Sequence, residues 1–135
     1  MDSAYYGHLA GATDIIFHPG SYFELPPEQV LPKAIERLQG CMEELRTAGN
    51  PVVLRPETMG KSAMLGSLED TLAMSRAIPG VRPCLDFAHL HARPGDGTMN
   101  SYDAASTHYR HGTVTKTVWP CLQLEVINFR VPLKP

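Results

Sequence analysis

Pro51-Val52-Val53-Leu54-Arg55-Pro56-Glu57 is the stretch on which the fold turns. A short, continuous apolar run reads as a strand buried on both faces, the type found in parallel sheets, rather than as a half-exposed alternating strand. A second such run, Asp14-Ile15-Ile16-Phe17-His18, precedes it and is stopped by Pro19-Gly20; a third, Val81-Arg82-Pro83-Cys84-Leu85-Asp86-Phe87, follows it. Between them lie helical patterns. Pro26-Pro27-Glu28 opens a helix predicted to reach Ala48, with Val30, Ala34, Leu38, Met42 and Leu45 at helical spacing and Gly49-Asn50 as its stop. Pro32 is close enough to the start to be tolerated, and is expected to delay the regular helix. Ser67 to Ile78 is predicted as a second helix, with Ser67 as cap and Asp70 as its capping-box partner. The order is β-α-β-α-β, with crossovers long enough to be right-handed and the strands parallel.

Outside this core, Ser3 to Ala12 reads as a helix or its end. After about Asp103 the pattern changes: Gly112 to Trp119 alternates like an exposed strand, Cys121 to Val131 is strand-like, and a helix after the third strand is expected to be absent or poor. The expected organisation is an α/β region over 1–103 and a divergent tail over 104–135. At 135 residues and 14.8 kDa the chain can bury a core, but a complete eightfold β/α barrel needs roughly 200 residues or more. A formal charge of −2 excludes a generally basic nucleic-acid-coating protein, while leaving room for a local site whose positive charge is a metal. Cys41, Cys84 and Cys121 form no Cys-x-x-Cys pair and are expected to be reduced thiols. Without a signal-peptide pattern or an apolar run of about 20 residues, the expectation is a cytoplasmic protein with no membrane partner.

Ligand-type side chains fall at one end of these strands. His18 ends the first, Glu57 the second and Asp86 the third, with His89 three residues on. Sites in parallel α/β folds form at the carboxyl ends of strands, so three successive strands deliver their donors to one face. Imidazole with carboxylates suits zinc, manganese or iron, and a carboxylate can bridge two metals. The bland alternatives are a loop histidine at 18, a Glu57–Lys61 pair, and Asp86 as a helix cap with His89 on the surface. His91 is a spare in a His-x-His pattern; His8, His108 and His111 read as surface residues. Gly60-Lys61-Ser62 is not a phosphate loop, since Arg55 stands where the first glycine belongs. Lys61 and Arg55 remain candidates for contacts to a phosphate backbone. Met42, Met64 and Met74 read as core filler.

Gly-Ala-Thr-Asp-Ile-Ile-Phe-His18-Pro-Gly-Ser, Leu-Arg-Pro-Glu57-Thr-Met-Gly-Lys-Ser and Cys-Leu-Asp86-Phe-Ala-His89-Leu-His, taken in order, resemble the endonuclease IV family of abasic-site DNA endonucleases over about residues 3–103. The resemblance implies a TIM barrel, here partial with about three β/α units. It also implies zinc-dependent cleavage of double-stranded DNA on the 5′ side of an abasic site, in base-excision repair. By match of motif, His18 is expected to ligate a first zinc, Glu57 to bridge two and serve as the catalytic carboxylate, Asp86 to ligate a second and His89 a third. The family's further ligands, a His on an earlier strand and a His, an Asp-x-His and a Glu on later ones, have no counterpart here. Fewer than three zincs are therefore expected, along with the reduced activity of a truncated or frame-altered member. A three-strand piece of barrel has open sheet edges, from which marginal stability or self-association is expected. Two other readings stay open: a metal-dependent sugar isomerase or epimerase of the same barrel superfamily, and a non-catalytic metal-binding fragment.

Overall fold

The computed structural model describes residues 1–98 and 122–123. Among them the elements run α1 (Asp2–Leu9), β1 (Asp14–Phe17), α2 (Pro27–Thr47), β2 (Val53–Pro56), α3 (Leu68–Ala77), β3 (Leu85–Asp86), α4 (Phe87–Ala92) and β4 (Leu122–Gln123). The architecture is α/β with parallel strands, as expected. β1 and β2 pair in parallel, Asp14 opposite Val53 and Phe17 opposite Pro56; β3 pairs in parallel with β4. The other tail residues, with the strand-like stretches 112–119 and 124–131, Cys121 and the histidines at 108 and 111, lie outside the described residues.

The third strand is shorter than its apolar run. Val81 and Cys84 bridge to Leu54 and Glu57 in one parallel register, but only Leu85–Asp86 forms a strand. Proline explains the break. Arg82 N–H donates to Leu54 O and Cys84 N–H to Pro56 O, while the alternating rung from residue 56 back to Arg82 needs an N–H that Pro56 lacks. Thr58 N–H resumes the ladder at Cys84 O.

α2 runs from Pro27 without delay through Pro32. The bond its missing N–H would make falls near the helix start, to the exposed residue Glu28. Leu38, Met42 and Leu45 on its buried face pack with Val52 and Leu54 of the β2 segment, Met74 and Ile78 of the α3 segment, and Val81. Met42 and Met74 are the core filler expected of them; Met64 is half-buried. Ser67 caps α3 with the predicted capping box: Asp70 N–H donates to Ser67 Oγ and Ser67 N–H to Asp70 Oδ2. After β3 a short helix does form: α4, six residues capped by Asp86.

Side-chain alternation gives the sheet two faces. Ile15, Phe17 and Leu54 point to the helices and join the core. Asp14, Ile16, Arg55 and, by the same alternation, His18 and Glu57 point to the other, inner face. Expected to be buried on both sides, β1 instead leaves Ile16 43% exposed there. Among the described residues no strand lies on the outer edge of β1 to cover it.

Candidate metal centre

Two layers of ionisable groups cross the inner face. In the lower one Arg55 Nε donates to Asp14 Oδ1 at 2.5 Å, and Arg55 Nη1 reaches Pro83 O. Burial pushes the Asp14 carboxyl up, but hydrogen bonds from Thr13 and Arg55 outweigh it and hold the group below its usual range. Arg55 is 2% exposed, so the sequence reading of it as a phosphate contact is wrong: its charge is already matched inside the protein.

One step along the strands lies the upper layer. Glu57 Oε2 is 3.2 Å from His18 Nε2, and Glu57 Oε1 is 3.9 Å from His89 Nδ1. Asp86 Oδ2 is 3.3 Å from the same His89 nitrogen. Glu57, Asp86 and His89 each bring a ligand atom within 4.8 Å of the others, and among the described residues this is the group able to hold a metal ion. His18 joins through the far oxygen of Glu57. The structure thus gathers the four residues expected to act together, and the pairing of Glu57 with Lys61 is not what forms.

Local structure explains the aim of each group. Glu57 follows β2 directly, anchored by its N–H on Phe17 O. Thr58 is fully buried; its hydroxyl accepts from Asp86 N–H at 2.8 Å and donates to Asp86 O at 3.2 Å, tying the ends of β2 and β3 together. Asp86 does cap a helix, accepting His89 N–H on Oδ1, yet this leaves Oδ2 facing the site. Capping and ligation are compatible uses of its two oxygens. His89 Nδ1, the ring nitrogen that faces Glu57 and Asp86, is also 2.8 Å from Thr58 O; a carbonyl only accepts, so Nδ1 carries a hydrogen, and Nε2 is the nitrogen that would ligate a metal. A backbone-oriented imidazole is the outer-shell arrangement metal-binding histidines use. Two carboxylates and an imidazole fit zinc, manganese or ferrous iron. His91 lies two residues along α4, about 200° around the helix from His89, and is not in the cluster. His8 is exposed on α1.

Several supporting residues escaped the sequence reading. Gly60 packs on the His89 ring: a Cβ there would meet His89 Cδ2 at 3.2 Å and Ala92 Cβ at 3.5 Å. Gly66, at φ +133°, lets Met59 approach so closely that any side chain would clash with it. Tyr22 Oη donates to Asp70 Oδ2 at 2.5 Å, and Gly66 N–H and Ser67 N–H donate to the same oxygen. Burial, followed by the Asp70 contact, pushes the Tyr22 phenol up to about 12; burial raises the Asp70 carboxyl, but those donors bring it below its usual value. Ser21 bridges Met64, joining the loop after β1 to the loop after β2. Spacing gave one signal that was available and missed: Arg93 lies four residues after His89, one helical turn along the same face.

The profile of the xylose isomerase-like TIM barrel family matches residues 4–121, most of the chain. The chain belongs to that family, and its parallel β/α units form part of a barrel. Among curated proteins it is similar to an uncharacterised protein of the archaeon Methanocaldococcus jannaschii, 32% identical over 91 residues, which is 67% of this chain and 33% of that protein. The chain therefore spans about a third of that relative's length. No helix among the described residues is long and apolar enough to cross a membrane.

Proposed function

We propose that residues 1–103 carry the central part of an endonuclease IV-like site that hydrolyses the DNA backbone 5′ to an abasic site. One observation carries the reading: the two oxygens of Glu57 face ligand-type side chains from different strands, Oε2 toward His18 and Oε1 toward His89 and Asp86. That is how a carboxylate is presented when it bridges two cations. His18 would hold one metal with Glu57 and Asp86 its neighbour, with His89, expected to ligate a third, 3.3 Å from Asp86 Oδ2. Bound zinc would stabilise charge on the phosphate and activate water. The chain's own part is to keep Glu57 between the imidazoles, orient His89 through Thr58 O, and hold the carboxylates at the strand ends beside the exposed His18. In this reading residues 104–135 form a divergent tail from which Leu122–Gln123 pairs with β3, and the protein acts in the cytoplasm.

The test is cleavage of a duplex containing one abasic analogue by zinc-reloaded protein, with Glu57→Gln as control. Incision 5′ to the lesion by the wild type alone supports the reading. Zinc retained with no incision sinks it. Family membership favours a second reading, a metal-dependent sugar isomerase or epimerase; ketose–aldose interconversion by the same reloaded protein separates the two. Self-association is the expected companion of this reading, since among the described residues no strand pairs with the outer edge of β1 and Ile16, Tyr5, Tyr6 and Leu9 are exposed near it or on α1. Sedimentation at increasing concentration should show dimers or larger species; a monomer throughout contradicts it.

A further inference from the structure

Arg93 uses its guanidinium in an unusual way. Nη1 donates to the carbonyls of Met59 (3.0 Å), Lys61 (2.9 Å) and Met64 (3.1 Å); Nη2 donates to Met64 O (3.1 Å), Ser62 O (3.5 Å) and Tyr22 Oη (3.4 Å). Arginine forks usually meet carboxylate or phosphate. Here the fork meets the carbonyl oxygens of a single loop, residues 59–64, which leaves β2 just after Glu57. The negative ends of those peptide dipoles converge on one point, and the planar cation satisfies them together. A lysine ammonium, a compact point charge with three donors, cannot span the same acceptors.

The other end of this contact is the helix of the second ligand pair. Arg93 is the C-cap residue of α4, and its N–H donates to His89 O at 2.9 Å. Two ties therefore join the Glu57 loop to the Asp86–His89 segment. Thr58 makes one, at the strand end; Arg93 makes the other, at the far side of the loop, with Gly60 and the His89 ring in contact between them. Through Tyr22 the same guanidinium reaches the loop that follows His18.

We propose that Arg93 is a positioning residue for the metal centre: it fixes the loop after Glu57 against the helix carrying His89, and so sets the separation of those two ligands. This rests on the metal-site reading above. Held by Thr58 alone, Glu57 and His89 would keep their order along the chain but lose the fixed spacing a metal requires.

The experiment compares wild type, Arg93→Met, Arg93→Lys and Leu45→Ala, the last a core truncation on the buried face of α2. Zinc affinity is measured by chelator competition, coordination by the visible absorption of the cobalt-substituted protein, and folding by thermal unfolding. Arg93→Met should weaken zinc binding about 10–100-fold, the range seen when outer-shell partners are removed, and alter the cobalt spectrum. Arg93→Lys should recover much of the melting temperature but not the affinity or the spectrum. Leu45→Ala should lower the melting temperature and leave both metal readouts at wild-type values. Wild-type affinity and spectrum in Arg93→Lys, or an equal loss in Leu45→Ala, overturns the proposal while the metal site stands. A wild type that binds neither metal overturns the metal-site reading, and this inference with it. If Arg93→Met does not fold, Arg93→Lys, which keeps the charge, decides the matter.

Discussion

The Asp14–Arg55 layer and the His18–Glu57–Asp86–His89 layer occupy the same sheet face, one step apart along the strands, and differ in how their charge is matched. Below, a guanidinium meets a carboxylate, and what remains of its fork goes to Pro83 O. Above, two carboxylates and two imidazoles share a space in which, among the described residues, no lysine or arginine pairs with Glu57 or Asp86. The lower layer is finished and mostly buried. In the upper one the carboxylates of Glu57 and Asp86 are about as buried, 12% and 11% exposed, but His18 is 60% exposed, and under the proposed reading a cation from outside would balance their charge. Two layers built from similar residue types thus differ in that the chain supplies the lower one's cation, while the proposed function assigns the upper one a bound metal.

The largest expected effect tests the lower layer. Arg55→Met leaves Asp14 facing the sheet without its partner and should destabilise the protein by about 3 kcal/mol, the low end for a broken buried pair because Asp14 is partly exposed. Urea denaturation measures it, and zinc stoichiometry should not change. Glu57→Gln should do the reverse. It should lower zinc affinity by about 100-fold, some 2.8 kcal/mol at 1.4 kcal/mol per tenfold. The metal-free protein should be unchanged or slightly more stable, because a carboxylate near Asp86 has been neutralised. If both substitutions damaged stability alike, the contrast between layers would collapse.

A smaller effect sharpens the boundary between site and support. Tyr22→Phe removes a hydroxyl that donates to a carboxylate and should cost about 1.5 kcal/mol. The same contact predicts a pH signature. The phenol, ordinarily near 10.0, stands at about 12 in the folded protein. Its contribution is complete below pH 10 and declines as pH rises toward 12, since the unfolded chain ionises first. Stability measured across that window should fall in the wild type by more than in Tyr22→Phe. Least of all, Gly60→Ala places a methyl 3.2 Å from His89 Cδ2 and should cost about 1 kcal/mol in stability, with a severalfold loss of zinc affinity read by chelator competition.

The fold was legible because its signals are local. Three apolar runs, a proline-opened helix and a Ser67–Asp70 capping box each describe a single element, and the β-α-β order leaves few topologies. The four clustered residues were legible for the same reason: each sits at a strand end or one turn beyond. What could not be read depends on pairs distant in sequence. Arg55 reads as a phosphate contact in the sequence because its partner, Asp14, lies 41 residues away. Arg93 was passed over because its acceptors are main-chain carbonyls, which carry no residue identity. The third strand was drawn too long because the rung it lacks is missing from Pro56, on the neighbouring strand.

The Thr58 hydroxyl, which both accepts from and donates to the Asp86 main chain, has a consequence for how this family can vary. It stands in for a rung of the sheet at the height of the ligands, and so sets the phase of Asp86 relative to Glu57 from the strand end itself. The α3 helix that lies between them is released from that duty. Insertions or deletions there can lengthen or shorten the crossover without sliding one carboxylate past the other. A threonine or serine should therefore persist next to the glutamate in relatives whose intervening helix differs in length.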